Sequence, residues 1–104
     1  MMKKESAFNS YKDINKLIHE PARTAILMLL SVVSEADFLF VMNKTGLTQG
    51  NLSSHLNKLE EAGLVIVTKT FKGKRPNTIL KISEKGIEEL AGYIKSMKSM
   101  INHF

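Results

Sequence analysis

Within "TQGNLSSHLNKLEEAGL", residues Thr48 to Leu64, two hydroxyls stand beside an imidazole: Ser53, Ser54 and His55. Nucleophilic catalysis would need the imidazole within hydrogen-bond reach of a hydroxyl. The segment reads as a helix, and consecutive helical residues are turned about 100° from one another. The three side chains therefore point apart, no activated nucleophile results, and no catalytic residue is expected. His19, His55 and His103 are scattered and lack metal-ligand spacing, and the chain has no cysteine. Thiolate metal sites and disulfides are excluded, and neither a metal ligand set nor a cofactor is expected. What remains is hydrogen bonding, carried by short uncharged side chains crowded into the first two turns.

That crowding opposes helix formation. Gly50 costs about 1 kcal/mol relative to alanine inside a helix, and serine or asparagine about half of that. On a helical wheel Leu52, Leu56 and Leu59 form one stripe, which must face a core. The opposite side presents Gly50, Ser54, Asn57 and Glu61, flanked by Asn51, Ser53 and Lys58. Short side chains with both donor and acceptor capacity match the mixed donors and acceptors of base edges, and let a helix approach closely. The first N–H groups, Thr48 to Asn51, and the helix dipole favour a nearby phosphate. The plainer alternative is that Thr48, Gln49 and Asn51 only cap the helix and the serines are solvated. His55 either contacts a phosphate or merely flanks the leucines.

A basic hairpin follows. "LVIVTKTF" and "NTILKIS" are β-branched runs with period 2, joined by "KGKRP". The tip carries Lys72, Lys74 and Arg75, with Lys69 and Lys81 on the adjoining strands and Pro76 stiffening the return. From Thr48 to Ile82 six cations stand against two carboxylates, so this third of the chain holds most of the net charge of +5. Lysine and arginine at a hairpin tip suit phosphate contact, and arginine suits a narrow minor groove. A solvated tip is the bland reading.

The remaining elements position these two. The spacing of Ile14, Leu17 and Ile18 predicts a short helix over Ser6 to Ile18. Pro21 opens a second helix to about Val32, whose apolar residues on every side, Leu27 and Met28 included, predict burial on most faces. Glu35 to Asp37 reads as a brief extended piece, and Phe38 to Lys44 as a short helix closed by Gly46. Thr48 caps the fourth helix, which runs to about Ala62, and Gly63 terminates it. Ser83 caps a last helix with Glu84 in its first turn. The expected fold is mainly α with a two-stranded β-wing (α+β): a single winged helix-turn-helix domain over residues 1–104, with a recognition helix at about 48–62, a wing at about 64–82 and a C-terminal helix at about 83–102. In a helix-turn-helix the N-terminal part of the second helix enters the major groove.

The segment "LTQGNLSSHLNKLEEAGLVIVTKTFKGKRPNTILKISEKG", Leu47 to Gly86, resembles winged helix-turn-helix transcriptional regulators of the MarR/ArsR type, and especially their small winged helix DNA-binding domain members. "RTAILMLL", Arg23 to Leu30, is similar to the family's first core helix. The resemblance implies a homodimer on pseudo-palindromic double-stranded DNA, repressing or activating transcription. It implies groove-facing roles for Gln49, Asn51, Ser53, Ser54, His55 and Lys58, and a wing contact by Arg75. With the residue-based reading, the expected DNA-contact set also takes in Thr48, Lys72, Lys74 and Asn77. Leu39, Phe40 and Met42 depart from the family's usual polar residues; they build a tighter core, an extra apolar contact or a ligand wall. That contact would suit the rival reading, a winged-helix module for protein–protein interaction. Metal sensing through cysteine-rich motifs does not fit this chain.

The last helix has apolar residues to the end of the chain. Ile87, Leu90, Ile94, Met97, Ile101 and Phe104 are read as a dimer interface, since the stripe is longer than a small core requires. The alternative is packing on the first helix of the same chain. The longest apolar run, Ala25 to Val33, is far short of the roughly 20 residues that span a bilayer. "MMKKES" runs into polar sequence with no apolar stretch behind it, so no secretory leader is expected and the chain is read as cytoplasmic.

Overall fold

The computed structural model describes residues 10–102. A single 3₁₀ turn, Ser10–Asp13, leads into helix α1, Pro21–Val33. Strand β1, Glu35–Asp37, helix α2, Phe38–Thr45, and helix α3, Gln49–Glu61, follow. Strands β2, Val65–Lys72, and β3, Arg75–Ile82, form the wing, and helix α4, Glu84–Ile101, ends the fold. From Pro21 onward the element order, the caps at Thr48 and Ser83, the Gly46 terminator and the change of period match expectation.

The caps are built as the residue types dictate. Thr48 Oγ1 accepts the Asn51 N–H at 3.2 Å, and Ser83 Oγ accepts that of Gly86 at 2.9 Å. Gly46, at φ 72°, closes α2 by donating its N–H to Met42 O. One cap lay outside the sequence reading: Glu20 starts α1, its carboxylate accepting the N–H groups of Ala22 and Arg23.

The expected helix ahead of Pro21 is corrected. Residues 6–9 lie outside the described region, and beyond Asp13 the chain makes turns instead. Asn15 is the cause: its Oδ1 accepts the N–H groups of Leu17 at 2.9 Å and Ile18 at 3.1 Å. This local bonding competes with a helical ladder. The segment still buries Ile18 completely and packs Ile14 and Leu17 against the core.

The core joins Ile26, Leu27 and Leu30 of α1, Val41 of α2, the α3 leucines, and Leu64, Leu80 and Leu90. The expectation that α1 is buried on most sides is also corrected. Val32 is 81% exposed and Met28 lies open beside it, because the described elements cover only the face that bears Ile26, Leu27 and Leu30. In α2, Met42 packs against the core, whereas Leu39 and Phe40 are exposed.

The sheet has three strands in the order β1-β3-β2, all antiparallel, where sequence alone indicated a two-stranded ribbon. The extended piece Glu35–Asp37 pairs with Lys81–Ile79 and supplies the third strand. Beyond Ile79 the hairpin continues for four more cross-strand pairs, ending at Lys72–Arg75. At about 3.3 Å per residue it projects roughly 13 Å past β1. Pro76 is tolerated in β3 because it lies in this projecting part, where only β2 pairs with the strand.

Helix α4 leaves the wing at a close crossing. A Cβ on Gly86 would fall far inside van der Waals contact of the Leu64 carbonyl oxygen and 2.8 Å from Ile82 Cγ1. Backbone cannot yield as a flexible side chain can. Gly86→Ala is therefore expected to destabilise the fold by about 2–3 kcal/mol, seen as a loss of roughly 10–20 °C in thermal unfolding.

Candidate nucleic-acid interface

Leu52, Leu56 and Leu59 are buried, so the rotation of α3 about its own axis is set. Gly50, Asn51, Ser54, Asn57, Lys58 and Glu61 all lie exposed on the far side. Thr48 and Gln49 are exposed at the helix start, and Ser53 is half-buried on the flank.

The wing stands beside that flank. A groove of about 180 Å³ is lined by Ser53 and Asn57 of α3 and by Val67, Lys69 and Thr78 of the wing. A neighbouring hollow of about 300 Å³ brings together Gln49, Ser53, Pro76, Asn77 and Leu39. Strand alternation explains which wing residues take part. Leu80 is buried, so Thr78 and Pro76 share its face, together with their partners Val67, Lys69 and Phe71 on β2. Lys72, Arg75 and Asn77 alternate with these along the strands, and Arg75 and Lys72 border a further hollow with Asp37, Leu39, Pro76 and Asn77. Lys74 and Gly73 make a two-residue turn, with positive φ at Gly73 alone.

The wing residues beside α3 are thus Lys69, Thr78, Pro76 and Asn77; of these the sequence reading names only Asn77 in its contact set, and it does not name Asn57 of α3. The signal was present: the period-2 pattern back from Leu80 puts Thr78 and its partner Lys69 on the inner face.

The opposite flank of α3 is tied to α1. Arg23 Nη1 lies 3.1 Å from His55 Nδ1, and Glu20 Oε2 lies 3.4 Å from His55 Nε2. Arginine can only donate, so Nδ1 is the acceptor and the ring proton sits on Nε2, facing Glu20. Arg23 Nε also donates to Leu17 O at 2.6 Å. Both ring nitrogens of His55 are thereby engaged within the protein. Ser53 turns to the wing, Ser54 to solvent and His55 to α1, so the three do not combine. Burial raises the Glu20 pKa, but hydrogen bonds from Arg23 and Ala22 and the nearby His55 and Arg23 outweigh it, and the net shift is downward. No sequence signal pointed to this contact, because Arg23 and His55 are 32 residues apart.

On α4, Leu90 belongs to its own chain's core, and Ile94 and Met97 pack partly against it. Ile87 and Ile101 are 52% and 59% exposed. Phe104 and His103 lie outside the described residues. Part of the apolar stripe is thus covered by α1 and the segment ahead of it, where His19 Nδ1 meets the Tyr93 hydroxyl at 2.9 Å.

Residues 22–101 match the winged helix DNA-binding domain family. The chain belongs to that family. An uncharacterized protein of Methanocaldococcus jannaschii is 39% identical over 79 residues, covering 76% of this chain and 86% of that protein. A transcriptional regulator homologue from Pyrococcus horikoshii OT3 superposes with a TM-score of 0.80 at 30% identity, over 99% of this chain and 97% of that one. A MarR-family regulator from Silicibacter pomeroyi shares the fold, with a TM-score of 0.66 at 18% identity over 93% of this chain and 64% of that one. Fold and family are those of DNA-binding transcriptional regulators of the winged-helix type, and DNA is the partner they imply. Among the described residues no helix is long and apolar enough to cross a membrane.

A winged-helix reading makes Gly50 a matter of approach rather than of fold. Nothing lies within 4 Å of a Cβ built there. Gly50→Ala is expected to stabilise the protein by up to about 1 kcal/mol while weakening DNA binding, as melting and titration of the same variant would show. The lowered Glu20 pKa means that the carboxylate's contribution to stability is in full effect above the ordinary value of 4.5 and is lost as pH falls through the lower folded value. Acid titration of unfolding should show this loss, and Glu20→Gln should remove that part of the pH dependence.

Proposed function

We propose that the protein is a homodimeric, sequence-specific regulator that binds pseudo-palindromic operators. The observation that carries this reading is the open, short-chained polar face of α3, with Lys69 and Thr78 of the basic wing lining a groove beside it. Gly50, Asn51, Ser54 and Asn57 read base edges in the major groove, while Lys72, Lys74 and Arg75 hold the backbone. His55 acts by setting the helix against α1. Ile87 and Ile101 of α4, with Met28 and Val32 of α1, supply apolar surface for a second copy. A dimer places two α3 helices about one DNA turn apart, roughly 34 Å. The reading includes no catalytic step and a cytoplasmic setting.

One observation favours a second reading. Leu39 is 63% exposed and Phe40 lies beside it, partly screened by Lys44, a surface that would suit a protein partner in an interaction module. Salt dependence separates the two, since only DNA binding releases counterions in proportion to phosphates contacted.

Selection of bound duplexes from random sequence, followed by salt titration, tests the proposal. The recovered operators should contain two half-sites in inverted repeat. Arg75→Ala should weaken binding to all duplexes alike and reduce the salt slope by about 1 per subunit. Ser54→Ala and Asn51→Ala should each cost about 1–3 kcal/mol on the selected operator and leave the slope unchanged. Equal behaviour of the two classes would overturn the assignment.

A further inference from the structure

Along the wing face that looks toward α3, the cross-strand pairs run Val67–Leu80, Lys69–Thr78 and Phe71–Pro76. The first pair belongs to the core and the second lines the groove against α3. The third lies past both, and Phe71 is 70% exposed. Polarity along this face therefore goes from apolar to polar and back to apolar as the ribbon leaves the protein. Single exposed hydrophobic residues are ordinary on protein surfaces, but this one stands among Lys69, Lys72, Lys74 and Arg75 on a projecting hairpin.

We propose that Phe71 is the wing's apolar contact with duplex DNA, its ring packing on the deoxyribose wall of the minor groove between the phosphates held by the neighbouring cations. The inference rests on the DNA-binding reading above. Its occupant follows from charge: an apolar ring with Lys69 next to it on the same face and Lys72, Lys74 and Arg75 at the ribbon's tip fits a ligand whose apolar faces lie beneath anionic groups, as sugars do beneath phosphates. Apolar side chains are a recurring means of minor-groove contact. Opposite the ring, Pro76 has its φ held near −65°, which stiffens the strand that presents Phe71. Lys72 and Arg75 alternate to the other face, so ring and cations reach the duplex from different sides of the ribbon.

The chain contains no tryptophan, so F71W supplies a single fluorescent reporter at the proposed contact. The probes are the selected operator and a mixed-sequence duplex. F71W should bind within about threefold of the parent, and its indole emission should move to shorter wavelength and become protected from acrylamide at saturating DNA. F71A should weaken binding by about 10-fold with the salt slope intact, whereas Lys74→Ala should lower the slope. Three results would overturn the inference: an indole indifferent to saturating DNA; F71A binding with parental affinity, which leaves the ring to a protein partner; or an F71A slope flattened as in Lys74→Ala, which makes the effect one of misplaced lysines. Failure of the parent to bind any duplex would instead overturn the DNA-binding reading itself.

Discussion

The burial of Leu52, Leu56 and Leu59 is the constraint on which the rest of the molecule depends. Each leucine moved from water into the core is worth about 1.5–3 kcal/mol, and all three lie on one stripe of a 13-residue helix. Rolling α3 by even a third of a turn would expose part of that stripe and bury Ser54 or Asn57 without partners, which is costly. One rotational setting is therefore strongly preferred. The Glu20–His55–Arg23 contacts add a second point of attachment on the flank facing α1. The polar face is presented to solvent as a consequence of what the apolar face must do.

The wing is placed by a different device. Strand β3 is paired on both sides over Ile79–Lys81 and on one side beyond it. Its root is thus held in a sheet that packs into the core through Leu80 and Ile82, while its tip projects past β1. The close crossing of Gly86 over Leu64 ties the last helix to the junction between α3 and β2. Helix, ribbon and C-terminal helix are consequently one mechanical unit. An exposed polar helix face with a basic ribbon beside it is the geometry that the proposed contacts with base edges and backbone require.

The apolar surplus of the chain is distributed unevenly. Leu90, Tyr93 and Met97 of α4 are taken up by α1 and the segment before it, whereas Ile87, Ile101, Met28 and Val32 are left outward. The reading of the last helix as packed within its own chain therefore holds for Leu90, Ile94 and Met97. The helix's inner face packs on its own chain, and its outer flank, like the uncovered side of α1, stays exposed.

Most of the fold was legible because its signals are local. Thr48, Ser83, Gly46 and Gly63 mark helix ends through bonds to atoms a few residues away, and the switch from period 3.6 to period 2 at Leu64 announces the wing. The α3 face was legible for the same reason: one helix carries both its leucines and its polar cluster. Three features were decided only by tertiary structure. The third strand depends on pairing between Glu35–Asp37 and Ile79–Lys81, the setting of His55 on contacts with Glu20 and Arg23, and the exposure of Met28 and Val32 on which neighbours reach α1. Local bonding and periodicity are written into consecutive residues, whereas pairing and coverage arise from which distant segments compete for the same apolar surface. A composition as apolar as that of α1 cannot state which of its sides the chain will cover.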